Sequence, residues 1–180
     1  MPSGLPLGQM AYTGHADTRL LHGCLREAEK CEMASYGIEG LRKTLPEHFH
    51  AHMSVLGEEI RASNRLLRDL VGRSQGHFAR VPVILEYLNV ILPCLGKTLH
   101  EIDGYIEDRS ISKEIRWRKM YNQMTDEAGG IPLPQQFVLY NRFLTSVYQL
   151  LTRSVGVTPH SKVEFTDTRF QGHQFRPQYA

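Results

Sequence analysis

Between residues 81 and 154 apolar positions recur at helical spacing and are cut at intervals by proline and glycine, which leaves this chain little choice but to build successive helices. Amphipathic stripes of this kind are stable only when they pack against one another, so such helices assemble around a shared core. With 180 residues the chain has room for one core and not for two comfortable ones. Hydrophobic residues make up 41% of it and charged residues 22%, the balance of a globular protein rather than of a disordered one.

The punctuation divides the chain into five helical stretches. Residues 1–16, rich in glycine, proline and small polar residues, read as a flexible leader. The first helix is expected from Asp17, whose carboxylate suits the positive end of a helix, with Leu21, Cys24, Ala28 and Cys31 inward and with Gly37 and Gly40 as its stop. The second is expected to open at Pro46 and to carry Phe49, Met53, Leu56, Ile60, Ser63, Leu67 and Leu70 along one seam. A third, over residues 81–108, is apolar on nearly every side in its first half, which predicts a central helix contacted from several directions; Pro93 predicts a kink or short break over residues 92–96. The fourth is expected over residues 111–128, capped by Ser110 or Ser112 and stopped by Gly129 and Gly130. Pro134 is expected to start the fifth, with Phe137, Tyr140, Leu144, Val147 and Leu151 inward. Residues 155–180 lose this periodicity and read as a disordered tail, with a short strand over residues 162–165 lacking an evident partner.

Charge and cysteine content exclude more than they suggest. A formal net charge of +2 carries no basic field of the kind nucleic-acid binding needs, so a nucleic-acid partner is not expected. Cys24, Cys31 and Cys94 are an odd set with no CxxC pair, which argues against a disulfide framework or a zinc ribbon and for a reducing, intracellular setting, cytoplasmic or nuclear. The first residues lack the basic start and apolar run of a secretory signal. The longest apolar stretch, residues 81–95, includes Glu86, Asn89 and Pro93 and falls short of the ~20 residues that span a bilayer, so no transmembrane segment is expected.

Three groups of residues carry candidate chemistry. His48 and His52 stand four apart, the spacing by which helices present two imidazoles to zinc, although the metalloprotease pattern requires glutamate where Phe49 stands and no third ligand is evident. Lys113, Arg116, Trp117 and Lys119, with Arg109 and Arg118 nearby, set a tryptophan among cations, a combination suited to anionic lipid headgroups; the competing reading turns Trp117 into the core and leaves the cations to solvate a helix face. Gly129, Gly130, Pro132 and Pro134 form a stiff connector that serves either as a docking loop or simply as punctuation. No nucleophile elbow, phosphate loop or dinucleotide fingerprint occurs, and no cofactor is implied.

The blocks Val81-Pro-Val-Ile-Leu-Glu-Tyr-Leu-Asn-Val-Ile-Leu-Pro-Cys-Leu, Lys113-Glu-Ile-Arg-Trp-Arg-Lys-Met-Tyr and Glu127-Ala-Gly-Gly-Ile-Pro-Leu-Pro-Gln-Gln-Phe-Val-Leu-Tyr-Asn resemble a group of uncharacterised fungal α-helical proteins, over about residues 80–154. The resemblance implies helices and brings no catalytic residues. Such relatives continue in charged, helical sequence beyond the block at residues 150–154, where this chain departs from them.

The expectation is therefore an all-α protein, an antiparallel bundle of four or five helices over residues 17–154 with disordered N- and C-terminal tails. Its leading function is a non-enzymatic, intracellular protein–protein interaction module. The alternatives are a bundle that binds an anionic membrane surface through the cations around Trp117, and a metal-dependent enzyme at His48 and His52.

Overall fold

A computed structural model describes residues 8–153; the first part of the leader and the tail, with its short strand, lie outside the described residues. Within them the fold is all-α, built from α1 (Gly8–Arg42), α2 (His50–Ser74), α3 (Val81–Glu107), α4 (Lys113–Glu127) and α5 (Leu133–Thr152), with 3₁₀ turns at Glu47–Phe49 and Phe78–Arg80.

Several boundaries differ from those expected. Helix α1 begins at Gly8 rather than at Asp17, because a packed helix extends over neighbouring residues at far lower cost than it nucleates. It also runs through Gly37 and Gly40 to Arg42. Neither glycine takes the positive φ that would turn the chain out of the helix. Gly37 instead permits a close approach: a Cβ there would stand 2.7 Å from Ile106 Cδ1 on α3. After Pro46 the chain makes a 3₁₀ turn, so α2 starts at His50. Helix α3 passes through Pro93 without the expected break; the proline ring is exposed, and the one carbonyl it deprives of a donor lies a turn earlier. The cap of α4 is Ser112, whose Oγ accepts from the Ile115 N–H, while Ser110 is held by Asp108 Oδ1. Leu133, not Pro134, is the first residue of α5.

Four long helices form the ring of the bundle. Helix α1 packs on α2 and α3, and α5 closes the ring against α2 and α3. Consecutive long helices run in opposite directions, as short connectors require. Helix α1 and α3 lie side by side and parallel, since Gly23 faces Leu92 and Gly37 faces Ile106 at the same offset. Helices α2 and α5 are fastened by a half-buried polar lock: Ser63 Oγ donates to Asn141 Oδ1 at 2.7 Å, and Asn141 Nδ2 donates to the Glu59 carbonyl at 3.0 Å and carboxylate at 2.8 Å. The seam foreseen on α2 is buried from Met53 to Leu70, as are Cys24, Ala28 and Cys31 on α1 and Phe137, Leu144, Val147 and Leu151 on α5. Tyr140 reaches the same core, with its hydroxyl 2.9 Å from Thr98 Oγ1. The shorter α4 packs against α3 and α5.

Candidate functional site

The residues singled out in the sequence converge on α4 and its two connections, and most of them hold the fold together. Arg116, expected on an exposed cationic face, is 8% exposed: its guanidinium donates to the Ile106 and Ile111 carbonyls, closing the C-terminal end of α3 and the loop that follows. It is thus not a lipid-facing cation, and reversing its charge would strip two carbonyls of their donor. Trp117 is 3% exposed, which agrees with the core reading of that residue. Lys113 and Lys119 are exposed, and Arg118 pairs with Glu114 at 2.8 Å. The positive charge around Trp117 is consequently divided among a buried tether, an ion pair and two separate lysines.

The glycine connector is built by backbone geometry. Gly129 (φ 68°) and Gly130 (φ 88°) occupy the left-handed region, and their N–H groups bond the Asp126 and Thr125 carbonyls at 3.0 and 2.9 Å. That pairing is the Schellman stop of a helix, and it satisfies two of the carbonyls near the end of α4. Gln136 then pins the extended segment, donating to Met124 O at 3.0 Å and to Ile131 O at 2.9 Å. Pro132 stands exposed just before α5 and Pro134 is half-buried in its first turn.

His48 and His52 do not share the zinc-binding geometry their spacing suggested. His48 belongs to the 3₁₀ turn, whose rise and twist differ from those of α2, where His52 sits. The His48 ring lies against Phe49 at 4.0 Å, whereas His52 meets Tyr121 edge-on at 6.0 Å. Among the described residues no three His, Cys, Asp or Glu side chains gather as a metal ion would require.

His52 and Trp117 do come together, in a cleft of about 310 Å³ between the start of α2 and α4, lined by Phe49, His52, Trp117, Arg118, Tyr121 and Asn122. Trp117 and Tyr121 are one turn apart on α4 with ring centres 5.7 Å apart, and the Arg118 guanidinium lies 5.4 Å over the Phe49 ring. The 3₁₀ turn and the first turn of α2 place Phe49 and His52 opposite these residues. No sequence spacing links residues 49 and 52 to residues 117–122, so the cleft is a product of tertiary packing.

A second surface was missed in the sequence. On α3, Val83, Tyr87 and Val90 follow one another at helical spacing and are 55%, 39% and 64% exposed, with Cys94 exposed one turn further on. Tyr87 meets Phe143 of α5 at 6.3 Å, and Leu139 and Leu150 continue the apolar row along α5. The signal was present: the first half of α3 is apolar on nearly every side, which predicted contact from several directions. Among the described residues the structure supplies neighbours from α1, α4 and α5 and leaves the side of Val83, Tyr87 and Val90 exposed. By length and composition α3 is also the one helix among the described residues that qualifies to cross a membrane, a test that the core helix of a bundle passes as well; 39% of its apolar window is buried.

No protein-family model, curated protein or solved structure matches this chain, so the reading of its surfaces rests on their own geometry.

Proposed function

We propose that this chain is a protein–protein interaction module whose α3–α5 face receives an apolar helix of a partner protein. The supporting observation is that, among the described residues, Val83, Tyr87 and Val90 on α3 lie exposed beside exposed Leu139 and Leu150 and half-buried Phe143 on α5. Isolated apolar residues on a surface are ordinary, but contiguous ones in register along two helices mark an interaction surface. Each row extends over eleven residue steps or fewer, about 16 Å at a helical rise of 1.5 Å, and two parallel-sided ridges of that length offer a groove for a helix of about three turns. Among the described residues there is no strand edge to recruit an extended peptide.

The test is a photo-crosslinking residue placed at Val90 of the full chain, with the same residue at exposed Asp69 on α2 as control. A distinct protein captured from Val90 and not from Asp69, and lost when Val83→Glu is added without change in helical content, supports the reading. Crosslinking to a second copy of the chain, capture of lipid alone, or equal capture from both positions overturns it.

A further inference from the structure

The cleft between α2 and α4 carries a separate inference. Its floor is aromatic, made by Phe49, Trp117 and Tyr121, and its rim carries His52, Arg118 and Asn122. No acidic side chain lines it. His52, the Trp117 indole N–H, the Tyr121 hydroxyl and the Asn122 amide make no hydrogen bond to another group among the described residues, although Trp117 is almost wholly buried. The indole nitrogen is nevertheless not one of the buried polar atoms left without a partner, so it reaches solvent, and the site offers water-facing donors to a ligand that bears an acceptor. Arg118 is the one rim residue with a charge partner: Nη2 holds Glu114 while the guanidinium plane rests over Phe49. A guanidinium has five donors in a planar fork, and one carboxylate does not use them all.

Apolar walls, several water-facing donors and a single cation select for a ring that bears an acceptor-rich anionic group. The volume of about 310 Å³ lies at the small end of ligand pockets, which admits a ring with a short acid arm and excludes larger cofactors. We infer that the cleft is a binding site for a small aromatic carboxylate, whose ring packs on Phe49, Trp117 and Tyr121 and whose carboxylate is met by Arg118 and the neighbouring donors. Because Glu114 occupies part of Arg118, it competes with the ligand for the same guanidinium.

Trp117 is the only tryptophan in the chain and lies in the cleft, so its emission reports occupancy directly. The experiment titrates the full chain with phenylacetate and with uncharged phenylacetamide. Phenylacetate is expected to change Trp117 emission saturably in the millimolar range, with phenylacetamide at least tenfold weaker. Arg118→Gln is expected to weaken phenylacetate at least tenfold. Glu114→Gln is expected to tighten it, an effect that a purely structural ion pair would not produce. A peptide ending in phenylalanine presents the same chemistry: tighter binding of Gly-Gly-Phe than of phenylacetate assigns the source to a chain terminus, and weaker binding assigns it to a free acid. Equal binding of acid and amide, preference for phenyltrimethylammonium, weakening by Glu114→Gln, or no saturable change overturns the inference.

Discussion

At the scale of single residues, two helical glycines show opposite consequences, one at a close helix contact and one facing open space. Gly96 of α3 faces the carboxylate of Glu27, which is buried in the α1–α3 contact; a Cβ at Gly96 would stand 2.7 Å from Glu27 Oε2. That carboxylate has little freedom to retreat. Arg26 Nε donates to Oε1 at 2.9 Å and Lys30 Nζ to the same oxygen at 3.2 Å, while Oε2, 3.1 Å from that ammonium, accepts no hydrogen bond. Gly40 of α1, by contrast, has nothing within 4 Å of where its Cβ would be. Replacing a helical glycine by alanine stabilises by roughly 1 kcal/mol when space allows. Gly40→Ala is therefore expected to raise the free energy of unfolding by about 0.5–1 kcal/mol. Gly96→Ala is expected to lower it by about 1–3 kcal/mol, the usual effect of forcing extra volume into a packed contact. Urea unfolding of the two variants checks both, and a stabilised Gly96→Ala protein would show that the buried carboxylate moves freely.

At the scale of elements, the helix ends divide into those written locally and those made by distant groups. Ser112, Gly129 and Gly130 are local: a hydroxyl three residues before an N–H, and two residues in the left-handed region after the last turn. The sequence was legible at these points because both devices act between near neighbours. Gly129→Ala is expected to cost about 1–2 kcal/mol, since an L side chain at φ 68° meets the following carbonyl, while Gly129→Asn costs less. Thermal unfolding of the pair measures the difference, and equal midpoints would remove the left-handed stop as a determinant of the α4–α5 connection. The end of α3 is the opposite case. Its Ile106 carbonyl is satisfied by Arg116, ten residues on and in the next helix. In sequence Arg116 was one of several cations around Trp117; its separate role became visible only when α4 was folded back onto α3.

At the scale of the whole molecule, burial sets the chemistry of the thiols. Cys24 and Cys31 are enclosed by the bundle and Cys94 is exposed on α3. Burial, reinforced by the nearby Glu27 carboxylate, pushes the Cys24 and Cys31 thiols up from 9.0 to about 12. The unfolded chain therefore releases these protons near 9.0, while the folded chain keeps them until about 12. Their contribution to stability is complete below the lower value and is lost as pH rises through this window. Chemical denaturation across the range is expected to show a falling midpoint, and the fall becomes shallower in a Cys24→Ala, Cys31→Ala double variant. An identical slope in the two proteins would assign the alkaline loss to other groups. The functional reading belongs to this scale too, because the α3–α5 face and the α2–α4 cleft exist only when separate helices lie side by side.

The sequence alone determined that this protein is helical, which residues of α1, α2 and α5 turn inward, and where α4 stops, while it left two serines as candidates for the cap at its start. Those features follow from the periodicity of the helix and from capping groups within a few residues of the backbone they serve, so local spacing contains them. Tertiary structure decided the rest. It placed Arg116 under the end of α3, brought Phe49 and His52 against Trp117 and Tyr121, and left one side of α3 exposed among the described residues. Apolar spacing states that a surface prefers to leave water and is silent on what covers it, and in a ring of four helices each can be covered only along the sides its neighbours reach.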